Sequence, residues 1–237
     1  MITKITTPTR EIILKVQIEK EDEYQQRYWL TGLFYEYNLL DYIKKNQKSG
    51  NIIDIGSCIG NHTLFFSQIA KNVYSFEPII TNFLMQHKNL VLNDIKNVNL
   101  FNCALGEKNK IANIKDNRDT KIKTIYTTAG LHSESVFNWG SSHISDEKTG
   151  TKCIVKCLDD FNIEDVSIIK IDVEGYELNV LQGAKKTLKK YMPDLYIEIT
   201  NKKQLTDILK FLAPIGYKTI LYNNALKENS IIRIRGK

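Results

Sequence analysis

The chain has 237 residues, 42% hydrophobic and 25% charged, a soluble globular balance with length enough for a full core. No apolar run reaches the roughly 18 residues of a membrane span. The opening "MITKITTPTREIILKVQIEKEDEYQQ" lacks the apolar run and small-residue cleavage site of a secretory signal, so the expected location is cytoplasmic. The 33 Lys and Arg against 27 Asp and Glu leave +6, spread in small clusters such as Lys185-Lys186 and Lys189-Lys190 rather than along one stripe, so no nucleic-acid partner is expected.

Residues 20–46 read as an amphipathic helix, with Leu30, Leu33, Phe34, Tyr37 and Leu40 at helical spacing. Alternation follows: "NIIDI" as a strand, "HTLFFSQIAK" as a helix, "VYSFE" as a strand, and "TNFLMQHKNLVLND" as a helix with Phe83, His87, Leu90 and Val91 on its apolar side. "VNLFNCAL" is the next strand. After an interruption come strand "VSIIKIDVE", helix "LNVLQGAKKTLKK", strand "DLYIEIT", helix "KKQLTDILKFLAPIG" and the closing strands "YKTILY" and "SIIRIR". Repeated strand–helix–strand units predict a mostly parallel sheet covered on both faces. The last two strands have no helix between them and should pair antiparallel at one edge. One domain over 1–237 is expected, with an N-terminal helical segment at 1–50.

The interruption, 107–157, holds strand-like pieces ("KIKTIY", "TKCIVKCL") around the long loop "TTAGLHSESVFNWGSSHISDEKTG". Loops of that length in compact domains are functional or disordered, and this segment is the expected acceptor-binding region. The four cysteines, Cys58, Cys103, Cys153 and Cys157, form no CxxC pair and have no histidine at ligand spacing. Buried thiols are expected, with Cys153 and Cys157 on one strand face.

The stretch "NIIDIGSCIGNHT" places Asp54 ahead of Gly56 and Gly60 at the end of a strand, with Asn61-His62-Thr63 opening the next helix. The glycines allow a tight turn and close approach to a ligand, and free N–H groups at the helix start favour a carboxylate or phosphate. The spacing differs from the dinucleotide fingerprint GxGxxG. Glu77, in "SFEP", ends the second strand, where a carboxylate can accept both hydroxyls of a ribose.

Together, "DIGSCIGNHT", "FEP", "CALGE" and "IIKIDVEGYELNVLQGA" resemble the FkbM family of S-adenosylmethionine-dependent methyltransferases, over about Asn51 to Ile199. The resemblance implies a Rossmann-like α/β fold with the seven-stranded methyltransferase sheet, in agreement with the elements above. It implies S-adenosylmethionine bound along Asp54–Thr63, with Asp54, Gly56, Ser57, Gly60, Asn61 and Thr63 among its contacts. The ribose would sit on Glu77, the adenine near Asn102, Cys103 and Ala104, and Asp172 would face the donor.

"KIDVEGYE" ends the fourth strand with Asp172, Glu174 and Glu177, and Glu198 ends the fifth, so two strand tips present acids to one crevice. Glu177 reads as a helix cap. Methyl transfer from a sulfonium is an in-line displacement in which the protein positions the reactants. A hydroxyl acceptor must also lose a proton. Asp172, Glu174 and His143 are the candidates for that base. Asp172 and Glu198 could alternatively hold a hard cation, although no Asp-Asp or Asp-Asn pair stands at the strand tip, so no metal is expected. The strand also lacks the Asn/Asp-Pro-Pro-aromatic tip of enzymes that methylate base nitrogens, which favours oxygen; the resemblance to the FkbM family implies a hydroxyl of a sugar or another small molecule as acceptor.

His132 and His143, near Trp139, would serve an acceptor if the inserted loop covers the site, and exposed histidines without a role are equally compatible. His87 is expected in the core, and His62 lining the site without chemistry. Two rival readings are a non-catalytic S-adenosylmethionine-binding partner protein and a nicotinamide-dependent oxidoreductase.

Overall fold

A computed structural model describes residues 1–19, 24–115, 121–122, 136–137, 143–145, 150–220 and 230–236. The N-terminal part comprises strands β1 (Ile2–Thr6) and β2 (Ile13–Gln17) and helices α1 (Tyr24–Trp29) and α2 (Tyr37–Asn46). Then come β3 (Asn51–Ile55), α3 (Asn61–Phe66), β4 (Val73–Phe76), α4 (Ile80–Leu92) and β5 (Val98–Phe101). After β6 (Ala104–Leu105), the insertion contributes β7 (Lys110–Lys115), β8 (Lys121–Ile122), β9 (Val136–Phe137), β10 (His143–Ser145) and β11 (Thr151–Lys156). The chain ends with β12 (Val166–Ile171), α5 (Glu177–Gln182), α6 (Lys185–Tyr191), β13 (Asp194–Ile199), α7 (Lys202–Leu212), β14 (Tyr217–Ile220) and β15 (Ser230–Gly236).

The main sheet has seven strands in the order β14-β15-β13-β12-β3-β4-β5. All neighbours are parallel except β15, which runs antiparallel between β13 and β14. The mostly parallel sheet with an antiparallel closing strand is the architecture expected from the sequence. Its strands are apolar on both faces because each face carries helices. Ile52 and Ile168 point into a core shared with the N-terminal hairpin, α2, α3 and α4. Ile53, Ile55, Ile169 and Ile171 point into the opposite core, with Val180, Leu188, Ile208 and Leu212 from α5, α6 and α7. Each such side chain contributes about 1.5–3 kcal/mol on burial.

Several boundaries differ from the sequence reading. The N-terminal segment is not all helix. Residues 1–19 form the antiparallel β1–β2 hairpin, and the expected helix over 20–46 is broken between α1 and α2, where Gly32 turns with φ 79°. "VNLFNCAL" divides between two sheets, β5 joining the main one and β6 a second sheet of order β10-β7-β11-β6. "LNVLQGAKKTLKK" is two short helices, not one. His87 is exposed rather than in the core, as is Val91 at 66%. The buried side of α4 is instead Asn82, Met85, Gln86, Asn89 and Leu90. The reason is the hairpin: Asn89 Oδ1 accepts from Gln17 N at 2.8 Å, and Asn93 both accepts from Lys15 N and donates to Lys15 O at 2.7 Å. These amides satisfy the backbone edge of β2, so polar residues face inward.

Cys58, Cys103 and Cys153 are buried free thiols as expected, whereas Cys157 is half-exposed just beyond β11. His132, Trp139 and most of the loop 126–150 lie outside the described residues. Among the described residues, no helix is long and apolar enough to cross a membrane.

Candidate active-site cleft

A solvent-open cleft lies at the carboxyl ends of β3, β4 and β12. This is where the chain crosses from one half of the sheet to the other and where open α/β sheets bind ligands. The glycine loop after β3 forms its floor. Gly56 has φ 74°, and a Cβ there would come within 1.7 Å of Asp172 O, so only glycine lets the tips of β3 and β12 close together. Gly60, with φ 92°, would drive a Cβ to 2.6 Å from the Gln86 side chain.

Asp54 stands behind the cleft, fully buried. It lies in the row Lys170–Asp54–Ser75 across three adjacent strands. Thr63 Oγ1 donates to Asp54 Oδ2 at 2.6 Å, and Ser75 and Gln86 complete a network around that hydroxyl. Lys170 Nζ is 3.8 Å from Asp54 Oδ1 and 3.0 Å from Asp172 Oδ2. Burial alone would discharge Lys170, but Asp172 and Asp54 hold it firmly protonated.

Glu77, at the tip of β4, accepts from Cys58 N at 2.9 Å and Ile79 N at 2.8 Å. Its carboxyl is pushed up to about 7, by burial first, against those hydrogen bonds and Lys170. Asn102, which bonds the carbonyls of Glu77 and Pro78, braces this corner from outside the cleft. Asn82 lines the cleft beside it, only 1% exposed and with an Oδ1 that has no hydrogen-bond partner among the described residues. Cys103, Ala104 and Leu105, with Ile114 from β7 and Ile144 from β10, make an apolar part of the wall.

The opposite part is acidic. Carboxylate oxygens of Asp172, Glu174 and Glu198 all lie within 4.8 Å of one another, a set able to hold a hard cation or to share protons. Burial opposes the charge of Asp172, but Lys170 holds it below the usual carboxylate range. Glu198 is pushed well up, by burial and then by Asp172, and so carries a proton. Glu174 is pushed up to about 7, again by burial and then by the charges of Asp172 and Glu177. Glu177 is fully buried and accepts from Gly175 N at 3.0 Å and Val173 N at 3.3 Å, shaping the acidic loop from behind.

The N-terminal segment supplies the remaining wall through Gln25, Tyr35 and Glu36. Asn61, fully buried at the head of α3, clamps it: Asn61 Oδ1 accepts from Trp29 Nε1 and Tyr35 N, and Asn61 Nδ2 donates to Tyr35 O, each at 2.9 Å.

Of the residues singled out in the sequence, Gly56, Ser57, His62, Glu77, Cys103, Ala104, Asp172, Glu174 and Glu198 line the cleft. Asp54, Gly60, Asn61, Thr63 and Asn102 do not; they hold the loop and its neighbours in shape. The His143 side chain lies outside the described residues, although its backbone in β10 pairs with Lys115. Lys170, Asn82, Tyr35, Glu36 and Gln25 were not singled out. A lysine between isoleucines in "IIKID" was a readable signal for Lys170, whereas nothing local marks Glu36.

A model of the Methyltransferase FkbM domain matches residues 54–219. The chain belongs to the FkbM methyltransferase family. The FkbM match begins at Asp54, so the wall formed by Gln25, Tyr35 and Glu36 lies outside it. Methyltransferase 1 of Beauveria bassiana (strain ARSEF 2860) is 25% identical over 167 residues, 64% of this chain and 65% of that protein, so the FkbM chain spans just under two-thirds of that relative. The structure of methyltransferase FkbM from Methylobacillus flagellatus KT superposes with a TM-score of 0.56 at 18% identity, over 85% of this chain and 46% of that one. SMU.1697c from Streptococcus mutans, solved in complex with SAH, gives a TM-score of 0.51 at 15% identity over 84% of this chain and 96% of that one. An rRNA methylase from Streptococcus thermophilus also gives 0.51, at 12% identity over 84% and 95% of the two chains. At such identities the likeness is one of fold.

Proposed function

We propose that the protein transfers a methyl group from S-adenosylmethionine to a hydroxyl of a sugar or another small molecule. The observation that carries this reading is Glu77, seated on the glycine loop between an apolar wall and an acidic one. The cleft suits the donor in order. The apolar wall by Ala104 takes the adenine, and Glu77 with the unpartnered Asn82 Oδ1 takes the ribose hydroxyls. Asp172 faces the rest. When bound, S-adenosylmethionine supplies an electrophilic methyl group; the protein's part is to align the acceptor oxygen and take its proton.

Glu174 is the candidate for that proton among Asp172, Glu174 and His143. A base is most effective with a pKa near the working pH, and Glu174 sits at about 7. Asp172, tied to Lys170, is the poorer base and the better electrostatic anchor. The acidic rim of Glu36, Asp172 and Glu174 would repel a phosphate backbone, which supports a small-molecule acceptor over nucleic acid.

Calorimetric titration with S-adenosylmethionine, S-adenosylhomocysteine and NADH tests the donor. The two sulfur ligands should bind, Glu77→Ala should weaken both, and NADH should give no heat. Donor at a hundred times its dissociation constant should also stabilise by about 2.7 kcal/mol. Labelled-methyl transfer to a panel of methyl glycosides then tests the reaction. Glu174→Gln should abolish transfer and leave S-adenosylhomocysteine binding intact. Donor binding without transfer to any hydroxyl compound would favour the non-catalytic binding protein.

A further inference from the structure

His62 is only 3% exposed, yet it lines the cleft with Nε2 lacking a hydrogen-bond partner among the described residues. Glu36 Oε2 lies 3.0 Å from that nitrogen. The approach is close enough for charge pairing but poorly aligned for a hydrogen bond. The Glu36 side chain is 31% exposed and that of His62 only 4%, so the unmet group is the buried imidazole nitrogen, an unfavourable state for a purely structural pair. A third group bound beside the pair, within reach of both atoms, would satisfy it.

Glu36 is held in place for such a role. Its backbone is left-handed at φ 54°, a conformation glutamate rarely adopts and one that folds retain where the surroundings fix it. Its carbonyl accepts from Leu39 N and Leu40 N, starting α2. Tyr35, just before it, is gripped through both backbone groups by Asn61, the residue preceding His62. Both partners of the pair are thus positioned from one buried amide.

The pair belongs to a cluster of both signs. His62 is near enough to Asp172 to lower its pKa, and Glu36 near enough to Lys170 to raise that of the ammonium. A neutral hydroxyl acceptor calls for no such mixture, whereas a zwitterion does: its ammonium suits Glu36 and Asp172, its carboxylate suits the imidazole N–H.

We infer that Glu36 and His62 seat the aminocarboxylate end of the methyl donor, so that the N-terminal segment completes the donor site. The inference rests on the reading of the cleft as an S-adenosylmethionine site. No covalent step is involved: the pair binds and orients.

The test compares two probes by calorimetry, S-adenosylhomocysteine and 5′-methylthioadenosine, which keeps the adenine, ribose and sulfur but lacks the aminocarboxylate. Glu36→Gln, His62→Ala and the closer-sized His62→Gln are measured below their melting points. The expected result is S-adenosylhomocysteine weakened about tenfold or more in each variant, with 5′-methylthioadenosine changed less than about twofold. Equal weakening of both probes would mean a structural role and overturn the assignment. Unchanged affinity for both would overturn it too, as would a wild-type protein that binds only 5′-methylthioadenosine. If the wild-type protein binds neither probe, the donor reading itself fails, and the inference with it.

Discussion

Thr63 donates a 2.6 Å hydrogen bond to Asp54, closing a polar knot beneath the glycine loop where no part of either side chain meets solvent. Asp54 acts on the cleft through this knot and through Lys170 rather than by lining it. Thr63→Val keeps the shape but leaves a buried carboxylate oxygen unmet, which costs about 1–3 kcal/mol and lowers the melting point by roughly 2–12 °C. Thermal unfolding checks the loss. Titration of the folded variant with S-adenosylhomocysteine should find affinity within about threefold of wild type; a far larger change would mean direct donor contact in this corner.

On the proposed reading of the cleft, Glu77 should make donor binding pH-dependent. Its folded pKa of about 7 stands above the ordinary carboxylate value of 4.5, so between the two the folded apo protein holds a proton there that the unfolded chain has released. Apo stability from this group is therefore present below pH 4.5 and lost as pH rises through about 7. Ribose hydroxyls need the ionised form, so affinity runs the opposite way. S-adenosylhomocysteine should bind about tenfold more weakly at pH 6 than at pH 8, for one proton with a pKa near 7. Calorimetry at pH 6, 7 and 8 measures this, and Glu77→Gln should flatten the profile.

Much of this arrangement was legible from the sequence because it rests on local pattern. The alternation of Ile52 and Ile53 to opposite cores follows from period-two geometry, and Gly56 and Gly60 were marked by the strand-to-helix turn. What escaped depends on partners far along the chain. His87 read as core because hydrophobic spacing assumes an apolar interface, whereas α4 meets the edge of β2 through Asn89 and Asn93. Glu36 reaches the cleft with the help of Asn61, 25 residues further on, which grips Tyr35, the residue beside it. No local periodicity encodes a contact of that span.

Arg233 ties the antiparallel strand β15 to its neighbours. Its guanidinium bonds Asp194 Oδ2 at 2.6 Å and Tyr42 OH at 3.1 Å while only 3% exposed. Arg233→Ala leaves Asp194 buried with the 3.2 Å contact from Arg235 as its remaining ion pair among the described residues. Breaking such a pair costs about 3–5 kcal/mol; Arg235 keeps the loss near the lower figure. Urea unfolding should show it. Replacing both partners, as Arg233→Met with Asp194→Leu, should recover a large part of the loss, because no stranded charge remains.

Asn61 is the hinge on which the N-terminal wall depends. Its side chain makes three hydrogen bonds at 2.9 Å, to Trp29 Nε1 and to both backbone groups of Tyr35. Asn61→Ala removes the acceptor of a fully buried indole N–H and the partners of both backbone groups of Tyr35. A loss of about 2–3 kcal/mol is expected from unmet buried groups. Trp29 is fully buried beside the clamp, so releasing it should shift tryptophan emission to longer wavelength at temperatures where the far-ultraviolet circular dichroism is still native. The wall carries Glu36, so S-adenosylhomocysteine affinity should fall in the same variant while 5′-methylthioadenosine affinity holds. Emission and both affinities unchanged would mean that the segment stays docked without the clamp, through the packing of Phe34 and Leu40 alone.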